Sequence, residues 1–188
     1  METVGFTRMD EGTAEDYAIL DRALIPYAEQ CRREMPGVLL RMLEEQTGNA
    51  IGYKIDRHSH SLQTATRAFR DGADEEKVMI ALLHDIGDGI GVFNHGEFAA
   101  AILRPFISDQ NAWVVKHHGL FQGYHYFHHI GMNRNERDRY RDHPHFDACV
   151  EFCDRWDQRS FDPNYDTMPL SAFEPMVRRL FEKQPSVY

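Results

Sequence analysis

The 188-residue sequence predicts an all-α fold, and three observations carry that expectation. Apolar residues recur at three- and four-residue intervals along the chain. No stretch alternates polar and apolar over five or more residues without also fitting a helix, and Pro and Gly stand singly between the periodic segments. Six to eight helices and little or no sheet are expected. Two helices open the chain: Thr13 to Asp16 has capping-box spacing ahead of Tyr17, Leu20 and Leu24, and Val38, Leu39, Met42 and Leu43 repeat at helical intervals further on. The next runs from about Ser59 to Arg70, with Leu62, Ala65, Thr66 and Phe69 on one face and Gly72 ending it. Asp74 caps a helix that carries Val78, Met79, Leu82 and Leu83 and stops near Gly87, which puts His84 and Asp85 in its last turn. Glu97 to Phe106 and Gln110 to His118 give two short helices, the second capped by Ser108 or Asp109. Phe146, Cys149, Val150 and Cys153 lead a helix that reaches Trp156 and Asp157.

Composition narrows the function classes. A chain of this length is expected to form one domain over residues 1–188, with an ordinary hydrophobic fraction of 42%. The net charge of −9 and the lack of a Lys/Arg stripe argue against a nucleic-acid partner. No apolar run is long enough to span a membrane and the start lacks a signal-peptide pattern, so a cytoplasmic protein without a membrane partner is expected. Three Cys do not suggest a disulfide framework. Histidine is the outlier, with eleven residues clustered between His58 and His145.

The segments place His60 near a helix start, His84-Asp85 at a helix end, and then His95, His118 and Asp157, each at or near a helix terminus. Neutral imidazoles and carboxylates suit iron, manganese or zinc, and the thiolates of structural zinc sites are missing from this set. Consecutive residues on a helix point about 100° apart, so His84 and Asp85 reach neighbouring ions only if the carboxylate turns inward and bridges. Six ligands with one bridging carboxylate suit two metals roughly 3.5–4 Å apart. His117 competes with His118 for its position. His58, His125, His128, His129, His143 and His145 read as surface groups or supporting donors. Cys149 and Cys153 read as buried small hydrophobes, Trp156 as a core residue, and Asn133 to Asp142 as a solvated helix face of mixed charge.

The order His60, His84-Asp85, Asp157, with the string Ala81-Leu-Leu-His-Asp-Ile-Gly87, resembles the HD-domain superfamily of all-helical metalloproteins over residues 50 to 160. The resemblance implies one ion on His60, His84, Asp85 and Asp157 and another on Asp85, His95 and His118, with Asp85 as the bridge. Two reaction classes share that scaffold: metal-dependent phosphohydrolases, acting on a phosphomonoester or nucleotide, and mixed-valent Fe(II)/Fe(III) oxygenases. His60-Ser-Leu-Gln63, with 24 residues to His84, resembles the hydroxyphosphonate-cleaving oxygenases. Lys116-His-His118 with the following Gly-Leu-Phe-Gln-Gly-Tyr124, and Phe152-Cys-Asp-Arg-Trp-Asp157 with Phe161 to Asp166, resemble the inositol oxygenases. The resemblance therefore implies two iron ions, manganese or another divalent ion being the alternative, and a small hydroxylated substrate cleaved with O2 at a C–P or C–C bond.

Asp88 departs from the family, where Lys or His is usual. Asp85 and Asp88 are the catalytic candidates. A carboxylate 4 Å from a like charge costs about 4 kcal/mol at an effective dielectric near 20, so Asp88 in the pocket would disfavour a phosphate and favour a cation. A phosphonate would then be held by Arg57, Arg155 or Lys116. The run Leu120 to His129 holds four aromatic residues and three histidines, a wall suited to a quaternary ammonium. Gln63, Asp88, Lys116, Tyr124 and Arg155 are the expected substrate contacts.

Overall fold

A computed structural model describes residues 2–186. Seven α-helices and five short 3-10 turns make up its secondary structure, with no strand among the described residues. The helices are α1 (Ala14–Glu45), α2 (Arg57–Arg70), α3 (Glu75–Leu83), α4 (His95–Leu103), α5 (Asp109–Tyr126), α6 (Phe146–Arg155) and α7 (Leu170–Glu182). The architecture is a bundle of α-helices. Its centre is α3, where Val78 to Leu83 are all buried and which packs against α2, α5 and α7. An element apolar on every side needs neighbours all round, and that is what α3 has.

Start signals act as their chemistry requires. Thr13 and Asp16 form a reciprocal capping box on α1. The Asp74 side chain accepts from Lys77 N at 2.9 Å, and the Ser108 hydroxyl from Asn111 N at 3.3 Å. Gly72 follows α2 at φ +74°, a left-handed position that suits glycine. Asp56 caps α2 by accepting from Ser59 N at 2.7 Å, and its other oxygen accepts from Gly48 N at 2.9 Å. Burial alone would raise this carboxyl, but these N–H groups outweigh it and hold it below the usual value. Its contribution to stability is thus present above the unfolded carboxylate pKa near 4 and is lost as pH falls through the lower folded value. Asp56→Ala is expected to lower stability by about 1 kcal/mol at neutral pH, read as a smaller urea midpoint, with the difference shrinking in acid.

The chain departs from its sequence expectations at several places, among them the end of α3 at Leu83, which leaves Asp85 in the turn beyond the helix, and the end of α6 at Arg155, short of Asp157. The two opening helices are one helix of 32 residues that runs through Pro26 and Pro36. Pro36 is buried, and core packing by Leu39, Leu40 and Leu43 carries the helix past it. Phe69 is exposed, whereas Leu62, Ala65 and Thr66 of the same expected face are buried along with His60, Thr64 and Ala68. α4 starts at His95 rather than Glu97. α5 continues to Tyr126, with Phe121 and Gly123 buried, so His118 lies mid-helix rather than at an end. The Asn133 to Asp142 run contains the 3-10 turn Glu136–Tyr140 instead of a solvated α-helix. Within it Arg137 is buried over the Tyr124 ring at 3.7 Å, with Arg134 over the same ring at 4.0 Å. Cys149, Cys153 and Trp156 are buried in the core, as read from the sequence.

Candidate metal centre

Five segments of the bundle bring six side chains together. His60 projects from the first turn of α2, whose start is set by Asp56. His84 ends α3 and Asp85 follows in a turn whose backbone is closed by Asp88 N donating to Asp85 O at 2.9 Å. Gln46, at the end of α1, donates to the same carbonyl at 2.8 Å. His95 opens α4, His118 faces it from α5, and Asp157 opens the 3-10 turn after α6.

Distances sort the six into two adjoining groups. His60 Nε2 and His84 Nε2 are 3.3 Å apart, and Asp157 Oδ1 lies 3.3 and 3.8 Å from them. His95 Nε2 and His118 Nε2 are 3.2 Å apart. Asp85 stands between the groups. Its Oδ2 is 3.5 Å from both His60 and His84, while its Oδ1 is 3.0 Å from His118 and 3.3 Å from His95. One carboxylate thus turns one oxygen to each imidazole pair.

The imidazoles have fixed orientations. Each Nδ1 meets a backbone carbonyl: His60 with Ser160 at 2.8 Å, His84 with Ala81 at 2.9 Å, His95 with Val92 at 3.1 Å and His118 with Val115 at 2.7 Å. A neutral ring donates its Nδ1–H there and presents the Nε2 lone pair inward. Two such lone pairs facing each other repel, and a cation between them removes the conflict. Donors sharing one ion at ~2.1 Å stand about 3.0–3.4 Å apart, which is the spacing of the closest pairs here. Asp157 Oδ2 is buried without a hydrogen-bond partner, a further free donor in the cluster. The residues fit divalent metal ions.

Electrostatics agree with that fit. Burial pushes His84 down to about 4 against the pull of Asp85 and Asp157, so its imidazole is neutral at physiological pH. Burial would raise Asp85 and Asp157, but the surrounding histidines, and Arg57 for Asp85, hold both carboxyls below their usual range. Burial would lower His118, yet its bond to Asp85 raises it above the ordinary value. A proton on His118 and a metal ion are alternative answers to the same negative charge, so metal uptake displaces protons.

A cavity of about 280 Å³ opens onto the cluster, walled by Tyr53, Phe161, Tyr126, Gln122 and His125. The other sequence candidates lie away from it. Gln63 is buried and used at both ends by the backbone of Asp162. Lys116 is exposed beside Glu97, and Arg155 is exposed between Glu151 and Asp71. Tyr124 is stacked under Arg134 and Arg137. His117 stacks on Trp113 at 4.2 Å, so the structure brings His118, and not its neighbour, to Asp85. Asp88 is nearly enclosed with Arg57 Nε 2.8 Å from its Oδ2, and Arg57 also pairs with Asp85. The carboxylate expected in the pocket is therefore neutralised by a guanidinium.

The length of α5 positions Gln122, which sequence reasoning missed, and His125, which it read as a surface group or supporting donor. Gln122 donates to Asp157 Oδ1 at 3.0 Å, and His125 Nε2 is 3.1 Å from Asp154 Oδ1. They stand four and seven positions after His118, on one helical face, a signal hidden once the helix was ended at His118.

The sequence profile described as HD domain matches residues 57–159, more than half of the chain. No curated protein matches the chain.

Proposed function

Because this chain belongs to the HD-domain family, we propose that its six clustered side chains hold two iron ions and that the protein is an oxygenase of a small hydroxylated substrate. The observation that carries the reading is the division of Asp85 between two imidazole pairs. His60, His84, Asp157 and Asp85 would hold one ion, and His95, His118 and Asp85 the other. A set of four imidazoles and two carboxylates suits iron, and three or four protein donors per ion leave positions for exogenous oxygen ligands. Such an iron pair would supply binding of a substrate hydroxyl and activation of O2, the oxidant that takes up the substrate's electrons as the adjacent C–P or C–C bond breaks.

The chain's own residues shape the surroundings. Gln122 holds Asp157 from the cavity side, Arg57 offsets part of the carboxylate charge, and Tyr53, Tyr126 and Phe161 limit water. His60 stacks on Phe161 at 4.4 Å and Phe161 on Tyr53 at 4.7 Å, which stiffens that wall. Aromatic faces beside the ions suit a hydroxylated phosphonate that carries a quaternary ammonium. Phosphoester hydrolysis is the second reading. It is favoured by the Arg57–Asp88 pair, which lessens the repulsion that argued against a phosphate.

Oxygen uptake and phosphate release separate the two. Protein loaded with iron is expected to consume O2 in the presence of a hydroxylated aminoalkylphosphonate and to be inactive anaerobically, with Mössbauer spectra of coupled irons. Phosphate release from p-nitrophenyl phosphate with manganese under nitrogen, without O2 uptake in air on any phosphonate, would establish the hydrolase instead.

A further inference from the structure

The cavity over the metal centre is lined by one imidazole outside the six clustered side chains, that of His125 on α5. Its Nε2 is 3.1 Å from Asp154 Oδ1 on α6. An ionised carboxylate only accepts, so Nε2 carries the hydrogen of the neutral ring and Nδ1 keeps a lone pair. Nδ1 makes no hydrogen bond among the described residues, and the side chain is 27% exposed. The four clustered rings are held the other way round, by Nδ1 on a backbone carbonyl. That difference has a chemical consequence. A carbonyl fixes a neutral ring as a ligand, whereas a carboxylate also steadies the imidazolium that forms when the free nitrogen takes a proton.

The other polar groups on the cavity wall are occupied or unsuited to accept a proton. Arg57 pairs with Asp85 and Asp88, the Gln122 amide donates to Asp157, and the Gln158 amide donates to the Asp154 carbonyl at 3.2 Å. Tyr53 and Tyr126 complete the set. A phenol keeps its proton at neutral pH, and burial, with Tyr53 and Asp157 nearby, pushes that of Tyr126 up. We propose that His125, held by Asp154, is the base of the site. As the substrate hydroxyl binds, its O–H bond breaks, the electron pair stays on oxygen, and the proton forms an N–H bond at His125 Nδ1. This role rests on the oxygenase reading, in which the hydroxyl is the group bound at the metal centre. Under the hydrolase reading the same ring has the reverse task of giving a proton to the departing alkoxide.

Calorimetric titration of the iron-loaded protein with a hydroxylated aminoalkylphosphonate under nitrogen, in two buffers of different ionisation enthalpy, counts the protons released on binding. The unaltered protein is expected to release none, because His125 retains the proton. His125→Gln is expected to release about one, or to bind at least about tenfold more weakly. Asp154→Asn weakens binding in the same direction, and the analogue lacking the hydroxyl binds all three proteins alike. Circular dichroism and metal content show that each variant is folded and loaded. Unchanged affinity and proton count in a folded His125→Gln protein overturns the proposal. Phosphate release under nitrogen without O2 uptake on the phosphonate defeats the oxygenase reading alone. His125→Gln is then expected to slow hydrolysis of an alkyl phosphate about a hundredfold, and of p-nitrophenyl phosphate, whose leaving group needs no proton, less than about threefold. Equal losses on both esters, or no loss on either, overturn the role of His125 there.

Discussion

Asp85→Ala is expected to empty both halves of the cluster together, lowering bound metal from about two ions per chain to well below one. Each carboxylate oxygen faces a different imidazole pair, so removal takes one donor from each ion and leaves four neutral rings with only Asp157 to balance the charge. Arg57 loses one of its two anionic partners while 12% exposed, a loss of about 1.5–3 kcal/mol for a charge-assisted contact. Elemental analysis reads the metal, and urea unfolding in the presence of a chelator reads the protein term separately. Asp88→Asn is the control, since Asp88 pairs with Arg57 and lies outside the two imidazole pairs. Retention of two ions by Asp85→Ala would show that the carboxylate does not bridge.

Gly96→Val is expected to remove one ion selectively. A Cβ at Gly96 would stand 2.9 Å from the Val115 carbonyl, 3.1 Å from the Lys116 carbonyl and 3.3 Å from His118 Cε1. Two of those neighbours are backbone and cannot swing aside, so α4 must move off α5, carrying His95 from His118. Overpacking of this kind costs about 1–3 kcal/mol. The His60, His84 and Asp157 group is built on other elements, so metal content should fall to about one ion per chain, with a lower melting temperature. A variant that keeps both ions would mean that the two helices accommodate the side chain.

The readable parts of the sequence were those governed by short-range chemistry. Asp74 and Ser108 cap helices by bonding three residues ahead, and the apolar run Val78 to Leu83 has few alternatives to burial. The metal-binding candidates were legible because His84 and Asp85 are adjacent and His60, His95 and Asp157 fall near element starts. What escaped the sequence depended on tertiary packing. α1 passes two prolines since its far end is anchored in the core, and α5 outlasts His118 because Phe121 and Gly123 are buried against neighbours that no local pattern names. The surroundings of the ions were harder still. Lys116, Tyr124 and Arg155 have suitable chemistry, but each points at a partner elsewhere in the fold, while Gln122, four residues past His118, faces inward.

Three of the four imidazoles lean on the carbonyl three residues upstream, so their aim is inherited from the local course of the backbone. Ordering those side chains belongs to folding, and capture of a cation adds little further loss of rotamer freedom. The protein should therefore tolerate being stripped and recharged with a different divalent ion without unfolding, and cellular supply, rather than shape, would decide which element it carries.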